Sequence, residues 1–297
     1  MASKKRPKPL SHGRPPIQKE KERMSSKLSA TIIRSHHRLN KDLAAAVKRG
    51  DQDTIQRLEK AIKENGGLKQ YQAASKQGQS ASRGGDSSKI LVQWLQDADI
   101  LPTTTATSNP NPNHPPPNTT TKPLKLLEIG ALSTKNAISQ FPTRVEVTRI
   151  DLHSQGPGIL QQDFMQRPLP SSSDEKFDVV SLSLVLNYVP DPVQRGEMLR
   201  RIPLFLRQQS ACELGKEKLP ALFLVLPLPC IQNSRYLSED LLLAIMRTLG
   251  FEVTQRKLSN KLCYYLFQLV GTGSGEGVKK RVVRDGPGMN NFCVVVE

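Results

Sequence analysis

Three carboxylates in this sequence fall where short apolar runs end. Glu128 and Gly130 close "LKLLEIGA", Asp151 ends "VEVTRIDL", and Asp163 follows "ILQQ". A short apolar run stopped by glycine reads as a buried parallel strand and the turn after it. Gly130 lets the chain turn sharply and brings backbone close to a ligand. Asp151 follows at roughly twenty residues, the spacing at which a carboxylate meets the hydroxyls of a ribose. A carboxylate there suits a free diol and repels a 2′-phosphate, and Asp163 is then placed to accept from an adenine amino group. Glu128, Gly130, Asp151 and Asp163 are therefore the expected cofactor-binding residues. The loop "EIGALSTKNAI" holds one glycine where dinucleotide fingerprints hold two or three. A donor without a pyrophosphate needs less from this loop, so the pattern argues against NAD or FAD more than against S-adenosylmethionine. A Rossmann-like domain with a degenerate site is the competing reading.

A second constellation is "SLSLVLNYVPD", in which Asn187, Tyr188 and Pro190 follow another apolar run. Asn187 can donate and accept along a base edge, and Tyr188 offers a face for stacking. These two are the candidate catalytic residues, placed by position beside the group being transferred. The run resembles the Asn-Pro-Pro-aromatic tetrapeptide of amino-directed adenine methyltransferases, with order and content changed. Small-molecule methyltransferases carry similar runs, so the substrate stays open. Arg235 and Tyr236 are expected to border the same cleft or to serve their own loop.

The elements that must position these residues alternate. "FDVVSLSLVL" and "ALFLVLPL" are further strands; a helix opened by Asp191 and Pro192 and another capped by Ser238 and stopped by Gly250 lie among them. "EVTQRKLS" and "CYYLFQLV" can pair as a terminal hairpin. The expected class is α/β: a Rossmann-like class I methyltransferase domain, with a mostly parallel seven-stranded sheet ending in an antiparallel hairpin, behind a basic helical region. A short helix is expected after Gly130. The segment "KILVQWLQDADI", with the single tryptophan Trp94, reads as an amphipathic brace on that domain.

The boundaries follow from texture. Residues 1–33 read as a disordered basic tail, 34–100 as a basic helical region, 101–122 as a Thr/Asn/Pro linker, 123–271 as the cofactor-binding domain and 272–297 as a C-terminal tail. In the helical region Leu39, Leu43, Ala46 and Val47 start one helix that Gly50 stops, and Asp51 or Asp53 caps the next. Up to Arg83 the chain carries 20 Lys and Arg against 7 Asp and Glu, a net +13, whereas the remainder nets only +3. A basic arm on a near-neutral domain is the footprint of a polyanion binder, with a solubilising tail as the alternative. Cys212, Cys230, Cys263 and Cys293 show no metal-binding spacing, so neither zinc nor a disulfide framework is expected. No apolar run is long enough for a membrane span. The cluster "KKRPK" at the start suits a nuclear or nucleolar address. The C-terminal tail, Gly-rich and then apolar, is expected to dock back or to add a strand, and its Lys279, Lys280, Arg281 and Arg284 to touch RNA or water.

Taken together, "LLEIGALS", "RIDL", "QQDF", "SLSLVLNYVPDPVQRGEML" and "LFLVLPLPCIQNSRY" resemble the fungal nucleolar methyltransferases that modify N1 of an adenine in large-subunit (25S) rRNA. The resemblance covers roughly residues 87–270, and more loosely the basic N-terminal helices. It implies S-adenosylmethionine as methyl donor, with Gly130 and Asp151 at cofactor positions, large-subunit rRNA in a pre-ribosomal particle as partner, and the nucleus and nucleolus as the place of action. Animal relatives of the family resemble methyl-donor sensors in nutrient signalling, so a binding protein that transfers nothing is the alternative from another class.

Overall fold

A computed structural model describes residues 24–78, 85–103, 122–154, 156–208 and 219–297. The apolar runs form seven strands: β1 (Leu124–Ile129), β2 (Val145–Asp151), β3 (Leu160–Gln161), β4 (Val179–Ser183), β5 (Ala221–Pro227), β6 (Phe251–Leu258) and β7 (Leu262–Leu269). They make one sheet in the order β3-β2-β1-β4-β5-β7-β6. All neighbours from β3 to β5 run parallel, and β7 enters antiparallel between β5 and β6. This is the Rossmann-like class I methyltransferase arrangement expected from the sequence. Strand order reverses between β1 and β4, and a ligand crevice opens at the carboxyl ends of strands flanking such a switch.

Both faces of the sheet are covered, which is why β5 is apolar throughout and β4 is buried at all but its last position. On one face lies α4 (Ser88–Asp97), whose Leu91, Val92, Trp94 and Leu95 are buried with Leu126, Val179 and Phe223. Trp94 meets the Phe223 ring edge-on at 5.9 Å, so the expected brace is real. The short helix expected after Gly130 is instead one 3-10 turn, Ala137–Gln140. Helix α4 packs against that turn and takes up the apolar face a longer crossover helix would need. The other face holds α5 (Pro192–Phe205), α6 (Pro229–Gln232) and α7 (Glu239–Thr248). Asp191 caps α5, accepting from the Val193 amide at 2.7 Å, and Ser238 caps α7.

The C-terminal tail docks on this second face without joining the sheet. Phe292, Cys293, Val294 and Val296 are buried, and Val278 pairs with Val296 in an isolated bridge. Gly196 of α5 faces the Val295 carbonyl so closely that a Cβ there would lie 1.7 Å from the oxygen.

Ahead of the domain, α1 (Ser26–Arg49), α2 (Gln52–Glu64) and α3 (Gly67–Gly78) form a three-helix unit in which α1 contacts both others. Gly50 ends α1 at φ 71°, and Asp51 caps α2 by accepting from the Thr54 amide. The boundary at 33 needs correction, because α1 begins at Ser26. Ser25 caps it, accepting from the Leu28 amide at 3.1 Å, and Ser29 and Ile32 are buried. Residues 26–33 hold Leu28, Ala30, Ile32 and Ile33 but make too short a stretch to be a stable helix alone, and packing supplies the rest. Most of the expected linker and Cys212 lie outside the described residues.

Candidate active site

The switch in strand order holds a cavity of about 360 Å³ lined by Glu128, Gly130, Ser133, Lys135 and Asn136 of the β1 loop, Ser183 of β4, and Lys76, Asp86 and Ser87 from the N-terminal side. Gly130 turns the chain at φ 76°, and a Cβ there would meet the Val185 Cγ2 at 2.3 Å. Its amide and that of Ala131 both donate to the Ile150 carbonyl, at 2.8 and 3.1 Å, which ties the loop to the end of β2. Below the loop, Glu128 stands in register with Arg149 and pairs with it at 3.2 Å. Both Glu128 oxygens also accept from the Asn136 amide, at 2.8 and 3.0 Å. Burial raises the Glu128 carboxyl above the usual range, while Asn136 and Arg149 pull it back. Asp86 fixes the far wall: Oδ1 accepts from the Ser88 amide at 2.9 Å and Oδ2 from the Ala137 amide at 2.5 Å. Two carboxylates and two lysines thus ring a glycine elbow, a charge pattern complementary to the zwitterionic end of an amino acid.

Asp151 and Asp163 do not line this cavity. Asp151 closes β2 and accepts from the His153 amide at 2.8 Å; burial, its largest perturbation, raises its carboxyl. Asp163 folds its own turn by accepting from the Met165 amide at 2.8 Å. Helix α3 reaches over this edge, where the Gln72 side chain donates to the His153 carbonyl at 3.2 Å.

Past β4 the chain turns at Leu184, in the left-handed region at φ 57°, into the segment that carries Asn187 and Tyr188. Tyr188 is enclosed by the N-terminal helices. The His37 ring lies 3.9 Å from it, tilted by 47°, and the Tyr71 ring meets it edge-on at 5.4 Å. His36 stacks on the other side of Tyr71 at 4.4 Å. The Asn187 backbone carbonyl, close to the His37 ring, favours its charged form. Burial first, then the neighbouring His36 charge, pushes the His37 imidazole down to about 4. Burial raises the Tyr188 and Tyr71 phenols. Asn187 Oδ1 and His37 Nε2 are buried and without partners among the described residues.

Arg195 of α5 holds this segment from beneath. The buried guanidinium donates to the carbonyls of Val189 at 2.7 Å, Pro190 at 3.2 Å and Cys293 at 2.6 Å, and lies 4.5 Å over the Phe292 ring. One cation therefore clamps the loop after β4 to the C-terminal tail. Arg235, expected to border the cleft or to serve its loop, does the latter: it binds Asp285 at 2.9 Å, Asn291 at 3.0 Å and the Gly286 carbonyl at 3.2 Å. Tyr236 faces the Lys280 ammonium at 4.1 Å. Of the tail cations, Lys280 thus sits on Tyr236, and Arg284 donates to the Gln232 carbonyl. Cys230, Cys263 and Cys293 are free and buried, and burial pushes the Cys230 thiol up to about 12 and the Cys263 thiol to about 11. Among the described residues no His, Cys, Asp and Glu cluster could hold a metal ion, and no helix is long and apolar enough to cross a membrane.

With this geometry in view, comparison with known proteins is decisive. The family model described as 25S rRNA (adenine(2142)-N(1))-methyltransferase, Bmt2, matches residues 56–294. The chain belongs to this family. It is 38% identical over 238 residues to the Saccharomyces cerevisiae protein named 25S rRNA (adenine(2142)-N(1))-methyltransferase, an alignment spanning 79% of this chain and 61% of the yeast protein. It is 37% identical over 265 residues to the Schizosaccharomyces pombe 25S rRNA adenine-N(1) methyltransferase, spanning 89% of each. Among solved structures, the 16S rRNA methylase RmtB aligns with a TM-score of 0.42 at 12% identity, over 81% of this chain and 98% of that one. A Burkholderia thailandensis 1,6-didemethyltoxoflavin-N1-methyltransferase with bound S-adenosylhomocysteine aligns at 0.39 and 12%, over 50% and 72%. The family match begins inside α2 and therefore takes in α3, α4 and nearly all of the C-terminal tail.

The structure brings Glu128 and Gly130 into the cavity, and leaves Asp151 at the end of β2 near α3 and Asp163 in a separate turn, both outside its lining. His37, Tyr71, Asp86 and Arg195 escaped sequence reasoning. Asp86 sits in a Gly/Ser stretch that reads as spacer, yet "DSS" immediately before an apolar helix is a start signal. The adjacent pair His36-His37, in mid-helix among basic residues, was the readable trace of the aromatic cluster.

Proposed function

We propose that this protein transfers a methyl group from S-adenosylmethionine to N1 of an adenine in large-subunit (25S) rRNA. The observation that carries this reading is the cavity at the strand-order switch, with its glycine elbow and mixed charges, beside a segment presenting Asn187 and Tyr188. The cavity's volume lies in the range that holds nucleoside-sized ligands, roughly 300–1,000 Å³. Lys76 and Lys135 suit the donor's carboxylate, Asp86 its ammonium, and Asp151 its ribose diol; Glu128 holds Asn136 and hence the loop. Bound S-adenosylmethionine would supply an electrophilic methyl group on a sulfonium. Adenine N1 is largely unprotonated at neutral pH and needs no strong base, so the protein's contribution is positioning. N1 lies on the Watson–Crick edge, so the base must be unpaired or flipped to reach Tyr188. The net +13 before residue 84 supports a phosphate-rich partner, and we place the reaction on a pre-ribosomal particle in the nucleolus.

The test is methyl transfer to transcribed 25S rRNA, with digestion and identification of the modified nucleoside, alongside calorimetric titration of S-adenosylmethionine into wild-type and Asp151→Ala protein. The expected result is N1-methyladenosine from the wild type and donor affinity at least tenfold lower in the variant. Donor binding without transfer to any rRNA would favour a sensor and overturn the enzyme reading.

A further inference from the structure

His37 makes with the acceptor segment the contacts that a nucleobase would make. Its ring lies 3.9 Å from the Tyr188 ring, and the Asn187 carbonyl stands close enough to favour a positive charge on it. The fit is incomplete, however. The rings are tilted by 47° rather than parallel, and His37 Nε2 and Asn187 Oδ1 are left buried without partners. Buried polar atoms left unpaired are costly, and each such exception in a native structure calls for a physical reason. Asn187 offers two acceptors at this place, its backbone carbonyl and its Oδ1, and the Oδ1 is left unused. An exocyclic amino group carries two N–H donors and uses both.

We infer that His37 occupies, in the free protein, the seat of the target base, and that RNA binding displaces it. The seat takes a purine with an exocyclic amino group: its ring lies on Tyr188, and its amino hydrogens go to the Asn187 carbonyl and Oδ1. The inference deepens the proposed function and rests on it. The helices that carry His37 are suited to moving. Polar ties between their unit and the domain include Gln72 to the His153 carbonyl at 3.2 Å and Lys48 to Asp191 at 3.8 Å, with the Lys48 side chain 81% exposed. The region holding these helices also carries nearly all of the chain's excess positive charge. Phosphate contacts to α1–α3 therefore favour the displaced arrangement, and a ligand shifts such an equilibrium only through differential contacts of this kind. The plug also keeps Tyr188 covered until RNA arrives.

The experiment compares wild-type, His37→Ala and His37→Phe full-length proteins on a synthetic oligoribonucleotide spanning the target adenine, with steady-state methyl transfer as readout. Removing a contact that must be broken before the base can seat lowers the KM for RNA. For His37→Ala the expected decrease is about tenfold, equivalent to about 1.4 kcal/mol, with kcat and donor affinity changed by less than about twofold. His37→Phe keeps a ring on Tyr188 but loses the polar edge beside Asn187, and falls between the two. A merely structural role for His37 predicts the opposite sign, with KM raised in both variants. If KM is unchanged or raised in variants that bind donor normally, the inference is overturned and the enzyme reading stands. Should His37→Ala fail to bind donor, His37→Phe decides alone. A wild type that methylates neither this RNA nor whole rRNA overturns the proposed function, and the inference with it.

Discussion

Replacing Arg195 by methionine tests the clamp between the acceptor segment and the C-terminal tail. The guanidinium is buried, and its hydrogens go to the carbonyls of Cys293, Val189 and Pro190 at 2.6, 2.7 and 3.2 Å. Among the described residues no acidic side chain binds it directly. Burial accordingly lowers its pKa from the ordinary arginine value. Methionine keeps the packing against Phe292 and removes the cost of burying a cation, which is several kcal/mol. It leaves the two shortest-bonded carbonyls unpaired, at about 1–3 kcal/mol each. A loss of about 2–6 kcal/mol is partly offset by that relief, and the expected net destabilisation is about 1–3 kcal/mol. Urea unfolding measures it through the midpoint, with the slope expected to stay constant. Limited proteolysis should at the same time show residues 285–297 cut early in the variant. Donor affinity should change little, because Arg195 does not line the cavity. A destabilisation below about 1 kcal/mol, with a tail as resistant as in the wild type, would refute the clamp; the carbonyls would then have other partners or water.

Two further outcomes follow from the same geometry. Gly130→Ala forces a residue with a Cβ to φ 76° and drives that carbon to 2.3 Å from Val185; strain of about 1–3 kcal/mol falls on the loop, and calorimetry should show donor affinity at least tenfold lower, only partly restored by adding Val185→Ala. Acidification should weaken the docking of α1, since the His37 imidazole is held at about 4 against 6.5 when free, by burial and by the charge of His36 and Arg195, among the neutral Tyr71 and Tyr188 rings. The unfolded chain binds the proton more readily, so this contribution is complete above pH 6.5 and drains as pH falls towards 4. It amounts to about 2 kcal/mol lost at pH 5. Between pH 7 and pH 5 the wild type should lose about 2 kcal/mol relative to His37→Phe in melting curves, and a difference that does not change with pH would refute the assignment.

The sequence by itself determined the parallel core and its order of elements. Strands covered on both faces leave uninterrupted apolar runs such as "ALFLVLPL". The Asp191-Pro192 and Ser238 starts and the Gly50 and Gly250 stops are local events that reach no farther than a few residues. The same locality made Gly130 and the carboxylate of Asp151 readable, because each ends its own strand. The missing helix after Gly130 could not be read there, since the face it would cover is taken by α4, some forty residues upstream. The start of α1 at Ser26 was hidden for a similar reason: its stability comes from packing with α2 and α3 rather than from its own first turn. Above all, only the tertiary structure joined His37, Tyr71 and Tyr188, which lie on three elements up to 151 positions apart. Stacking and burial depend on what the fold brings together in space, and sequence spacing carries no record of that distance.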